Sequence, residues 1–97
     1  MRTIFAGSKN MSSTITLYGT DWCGDCRYTS RHLTEAGIAF TYVNIDEDSE
    51  GEKNVLKWNK GRRRVPTLVL DSDAGQSTLS VPRNEELDRE LKKHGFL

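Results

Sequence analysis

Cys23 and Cys26 are the only cysteines in 97 residues, and two residues separate them. A disulfide between them would close too small a loop to hold a fold against unfolding, so the pair reads as chemistry rather than as a staple. The thiol that opens a helix sees free backbone N–H groups and the positive end of the helix dipole, which stabilise a thiolate. A second thiol one turn further in is its spatial neighbour and can attack a mixed disulfide formed at the first. In Trp22-Cys23-Gly24-Asp25-Cys26 this makes Cys23 the nucleophile and Cys26 the resolving thiol, with Gly24 leaving the approach uncrowded. Asp25 is expected to tune thiol acidity: its charge opposes a neighbouring thiolate while favouring the helix start. Zinc would need two further ligands, and His32 and His94, the only histidines, stand at unsuitable separations, so no metal is expected.

A second element is Arg62-Arg63-Arg64-Val65-Pro66-Thr67. An X-Pro bond just before a strand can adopt the cis form, leaving the Val65 backbone N–H and C=O free to pair with an extended substrate. Arg63 and Arg64 become candidates for holding carboxylates of a small thiol or for stabilising the Cys23 thiolate.

These residues need a scaffold that brings a strand-to-helix turn beside a Pro-led strand. The run Thr14-Ile15-Thr16-Leu17-Tyr18-Gly19 reads as a strand leading to Cys23. A helix from Cys23 or Gly24 to Ala36 follows, with Cys26, Thr29, Leu33 and Ala36 as its inward stripe and Gly37 as its stop. Ala39 to Ile45 is the next strand, completing a strand-helix-strand unit. Ser49-Glu50-Gly51-Glu52 has the spacing of a capping box and opens a second helix through Trp58. Thr67 to Leu70 and Ser77 to Val81 form an antiparallel hairpin about Asp73-Ala74-Gly75. Asn84 caps a final helix with Leu87 and Leu91 on its apolar edge, ion pairs Asp88 with Lys92 and Glu85 with Arg89, and Gly95 at its end. The order β-α-β-α-β-β-α, without repeat or linker, fits one α/β domain over residues 14–97. Residues 1–13 show no sustained period and read as an extension outside that domain; their Ile4-Phe5-Ala6 patch is too short for a signal-peptide core, and Met11 is an equally good start.

Together, the Cys-x-x-Cys, Val65-Pro66-Thr67 and Ser77-Thr78-Leu79-Ser80-Val81-Pro82 resemble the glutaredoxin family, and most of all its actinobacterial mycoredoxins, from about Ile15 to Leu91. The resemblance implies a thioredoxin fold with a four-stranded mixed sheet and three helices. It also implies that Pro66 is cis and that Cys23 attacks mixed disulfides between proteins and a small thiol. That thiol, mycothiol or else glutathione, serves as reducing co-substrate, with no tightly bound cofactor. Gly24-Asp25 stands where typical glutaredoxins carry Pro-Tyr, and Val81-Pro82-Arg83-Asn84 where they carry the Gly-Gly-Cys/Ser-Asp stretch that grips glutathione.

Other readings of the pair are a protein disulfide reductase fed by a flavin reductase and an iron-sulfur module built on Cys23 of two subunits. A Trp-Ser-Gly-Phe-Arg-Pro type tail, which docks small glutaredoxin-like donors on thioredoxin reductase, is missing. Fourteen basic residues balance fourteen acidic ones, so no global field favours nucleic acid or anionic lipid, and no apolar run reaches the ~18 residues of a membrane span. A cytoplasmic monomer is expected, with the small thiol and oxidised or thiolated proteins as partners. The balance is local as well: acidic residues crowd Asp46 to Glu52, and every charge from Lys53 to Arg64 is basic.

Overall fold

The computed structural model describes residues 13–97 together with the backbone of residues 2–4. The four expected strands and three helices appear in the expected order: β2 (Thr14–Gly19), α1 (Gly24–Glu35), β3 (Phe40–Asn44), α2 (Ser49–Trp58), β4 (Thr67–Ser72), β5 (Gly75–Ser80) and α3 (Asn84–Lys93). A further short strand, β1 (Arg2–Ile4), precedes them. The sheet runs β1-β3-β2-β4-β5, with β2 parallel to β3 and every other pairing antiparallel.

Strand β1 corrects the placing of residues 1–13 wholly outside the fold, because residues 2–4 pair with Phe40 to Tyr42 at the sheet edge. Three residues are too few to show a period. It is the open edge of β3, a long-range feature, that supplies their hydrogen-bond partners. Residues 5–12, with Phe5, Ala6 and Met11, lie outside the described residues.

Alternation along the strands sorts the layers. Ile15, Leu17, Phe40, Tyr42, Leu68, Leu70 and Leu79 point to one face and pack with Leu33 of α1 and with Leu87 and Leu91 of α3. Helix α2 covers the other face through Val55, and the rings of Tyr18 and Trp58 meet edge to face at 5.3 Å. Gly51 permits the close approach of α2, since a Cβ there would lie 2.8 Å from Val43 Cγ1.

Several expected details shift. Ala36 is exposed at the C-cap of α1 rather than part of its buried stripe, which comprises Cys26, Thr29 and Leu33. The cap of α2 is Asp48, whose Oδ1 accepts from the Gly51 amide at 3.0 Å, so the Ser49–Glu52 capping box does not form. Asn84 lies inside the first turn of α3, behind Arg83, and its Nδ2 donates to Tyr28 Oη at 3.2 Å. Asp88 meets His32 of α1 at 2.7 Å instead of Lys92. For Asn84 and Asp88, a partner distant in sequence takes the place of the local one.

Candidate functional site

Strand β2 ends at Gly19, pairs there with Asn44 of β3, and passes through Thr20 to Trp22 into α1. Cys23 is the N-cap of α1, with extended backbone (φ −81°, ψ 116°). An N-cap needs an acceptor for the orphaned amides of the first turn, and here the acceptor is sulfur: the Cys26 N–H donates to Cys23 Sγ at 3.2 Å. Negative charge on that sulfur would be met by an amide donor and by the helix dipole together. The Cys23 amide itself donates to Thr20 O at 3.3 Å, which fixes the turn.

The two thiols are unbridged and differ in access. Cys23 is 8% exposed and Cys26 1%. Burial, then the contact with Cys23, then the charge of Asp25 push the Cys26 thiol up to about 12, against a Thr20 backbone hydrogen bond that lowers it. The inner thiol therefore holds its proton at neutral pH. Space for its sulfur is made by Gly19, where a Cβ would lie only 2.7 Å from Cys26 Sγ.

Across the site, the Val65–Pro66 peptide is cis, and Cys23 Sγ lies 3.8 Å from Val65 O in a thiol-to-carbonyl contact. The loop carrying these residues is braced from below. Asn59 Nδ2 donates to Thr67 Oγ1 at 3.2 Å and to Val55 O at 2.8 Å, Thr67 Oγ1 donates to Arg64 O at 2.8 Å, and Ser80 Oγ donates to Asn59 Oδ1. The Val81 amide donates to Pro66 O at 2.8 Å, which sets the exposed Val81 side chain at the rim. Exposed Trp22 and Tyr28 are the other large apolar side chains near α1's amino end.

The singled-out residues thus divide. Cys23, Cys26, Val65 and Pro66 meet at one point, and Trp22 adjoins it. Asp25 is exposed on the first turn of α1, where its charge acts on Cys26. Arg64 is exposed, and its guanidinium has no ion pair among the described residues. Arg63 is engaged elsewhere: its Nε donates to Glu52 Oε2 at 2.8 Å and its terminal nitrogen pairs with Asp46 Oδ1. The other oxygen of Asp46 accepts the Trp22 indole N–H at 2.9 Å. In the sequence Asp46 reads only as a charge before a helix, and Glu52 as part of that helix's capping box. Facing acidic and basic runs were the available signal, but their pairing is set by the fold. Asn59 and Gly19 were missed as supports because nothing local marks them.

Residues 15–74 match the Glutaredoxin family model. Among curated relatives, a glutaredoxin candidate of Mycobacterium tuberculosis is 34% identical over 83 residues, covering 86% of this chain and 95% of its own. Mycoredoxin 1 of Corynebacterium glutamicum is 38% identical over 66 residues, covering 68% of this chain and 80% of its own. The fold is similar to that of a crystallised mutant of the thioredoxin-like protein BC3987 (TM-score 0.66, 20% identity, 81% of this chain and 95% of that one). It is also similar to oxidised thioredoxin O2 of Arabidopsis thaliana (TM-score 0.63, 21% identity, 84% and 73%). No described helix is long and apolar enough to cross a membrane. With a family match over most of its length and two thiols at the start of α1, the chain belongs to the glutaredoxin family and is a thiol-disulfide oxidoreductase.

Proposed function

We propose that this protein reduces mixed disulfides between proteins and a small thiol, with mycothiol as that thiol, acting as a cytoplasmic monomer. The observation that carries the reading is the asymmetry of the pair: the more accessible sulfur of Cys23 takes the Cys26 amide at the helix start, while the Cys26 thiol is buried and protonated. The likeness to Mycoredoxin 1 favours mycothiol over glutathione.

In this reading the Cys23 thiolate attacks the small-thiol sulfur of the mixed disulfide. The S–S bond breaks, the protein leaves as a thiolate and takes a proton from water, and the small thiol remains on Cys23. A second small-thiol thiolate then attacks that bond, releasing the oxidised dimer of the small thiol and regenerating the Cys23 thiolate. Alternatively Cys26 loses its proton and attacks Cys23 Sγ, which releases the small thiol and leaves a Cys23–Cys26 disulfide for later reduction. The raised Cys26 pKa slows this branch at neutral pH, because only thiolates attack. Val65, beside Cys23 Sγ, offers its backbone to an extended substrate, and Arg64, next to it, is an exposed cation without an ion pair among the described residues.

The test is a coupled assay on a thiolated protein with mycothiol, glutathione, or NADPH plus thioredoxin reductase as the electron source. Highest turnover with mycothiol is expected. Cys23→Ser should abolish turnover, whereas Cys26→Ser should keep the route through a second small thiol. Turnover only with the reductase, or residual turnover in Cys23→Ser, would overturn the reading.

A further inference from the structure

Trp22 is 66% exposed, yet its ring is not free to swing. Its indole N–H donates to Asp46 Oδ2, Asp46 Oδ1 pairs with Arg63, and Arg63 Nε reaches Glu52 on the first turn of α2. Four side chains from four segments are therefore linked in series, ending on the residue that precedes the nucleophile. The planar guanidinium suits the middle of this chain, because separate N–H groups of one rigid fork can hold two carboxylates at once. Arg63, then the indole N–H, hold the Asp46 carboxyl below its ordinary range, so the acceptor stays charged throughout the neutral range.

Exposed ion pairs add little to stability, since solvent screens them and ordering long side chains costs entropy. The hydrogen bonds of this network are exposed, and its one aromatic terminus adjoins Cys23. A large indole face left in water but fixed in direction is ready to cover an apolar or ring-bearing surface without losing rotamer freedom on contact.

We infer that Asp46 and Arg63 are positioning residues that hold the Trp22 indole as a fixed wall beside Cys23, against which the small-thiol half of the mixed disulfide packs. Arg63 then acts on substrate through Asp46 and Trp22 instead of binding a carboxylate of the thiol itself. The inference rests on the mixed-disulfide reading above.

The experiment uses the full chain labelled with 5-fluorotryptophan. Its two tryptophans, Trp22 and Trp58, report the wall and the fold separately in the ¹⁹F spectrum. Trp58, held against Tyr18, is the internal control. In Asp46→Ala and in Arg63→Met, the Trp22 resonance should narrow and move while that of Trp58 stays in place. KM for the thiolated protein should rise roughly threefold to tenfold, as expected for losing one aromatic contact, with kcat unchanged. Arg63→Lys should recover part of the KM effect, because an ammonium lacks the fork that engages both carboxylates.

An unmoved Trp22 resonance in Asp46→Ala, an unchanged KM, or a loss confined to kcat would overturn the inference. Movement of the Trp58 resonance alongside Trp22 would do so too, by making the network a structural brace. A wild-type protein that reduces no small-thiol mixed disulfide would instead defeat the reaction reading, leaving the spectra to decide the tether.

Discussion

The two ends of the sheet each carry a polar cluster, and they are built in opposite ways. At the thiol end, the partners of Cys23 Sγ are the Cys26 amide and the Val65 carbonyl, both backbone groups, and side-chain charges stand outside them. At the hairpin end, side chains do nearly everything. Buried His94 bonds Ser72 Oγ through Nδ1 at 2.5 Å and Ser77 Oγ through Nε2 at 2.9 Å, and Ser77 Oγ donates to Glu90 Oε1 at 2.7 Å. This fastens α3 to the β4–β5 hairpin. Backbone partners survive most substitutions so long as the fold places them, whereas a side-chain network fails with any one member. The thiol end should accordingly be vulnerable through packing, and the hairpin end through polar truncation.

The largest expected effect is at Gly19. In Gly19→Ala the new methyl would stand 2.7 Å from Cys26 Sγ and 3.2 Å from its Cβ, with Leu17 also at 3.2 Å. A closely packed interior does not absorb such an overlap without moving a neighbour, and overpacking of this kind costs about 1–3 kcal/mol. Since Cys26 is that neighbour, the amide it donates to Cys23 shifts as well. Urea denaturation should show the loss of stability, and the rate of Cys23 alkylation should change with it. Retained stability with wild-type alkylation would mean that β2 yields easily, and the thiol end would lose its claim to be packing-limited.

His94→Ala sharpens the contrast from the other side. It removes a 4% exposed imidazole, leaves a void, and deprives two serine hydroxyls of a partner, for an expected loss of about 1–2 kcal/mol. Strand β4 runs from Thr67 to Ser72 away from Pro66, roughly 17 Å at strand rise, so thiol exchange should proceed at the wild-type rate once the protein is folded. A fall in exchange rate in folded His94→Ala would show that the two clusters are coupled through the hairpin.

The same division explains what was legible from the residues alone. Cys23, Cys26 and the Val65-Pro66 element are local motifs whose chemistry follows from position on an element, so a linear reading reaches them. The strand and helix order was also legible, because periods of 2 and 3.6 are local. Arg63 illustrates the opposite case. Its neighbours in sequence suggest a free basic loop, but Asp46 and Glu52 meet it only after β3 and α2 are laid on the sheet. Asp48 in place of Ser49 as the cap of α2 turns on a single residue of register, fixed by the close packing of Gly51 on Val43. Strand β1 depends on an open edge that exists only once the sheet has formed.

The smallest predicted effect separates the ends by pH. Burial first, then Cys23, then Asp25 raise the Cys26 thiol from 9.0 to about 12, whereas the unfolded chain ionises that thiol near its ordinary value. Between those two values the folded protein binds the proton that the unfolded chain has released. Stability must then fall as pH rises through that window and be untouched by this group below it. Between pH 8 and 9.5, short of the tyrosine range, linkage sets the fall from this group below about 1 kcal/mol. Cys26→Ser should flatten the alkaline slope in urea denaturation, since its hydroxyl does not ionise there, whereas His94→Ala should lower stability at both pH values and leave the slope unchanged. An equal slope in wild type and Cys26→Ser would mean that the inner thiol is no more protected in the folded protein than in the unfolded chain. The burial asymmetry between the two sulfurs would then have no energetic counterpart.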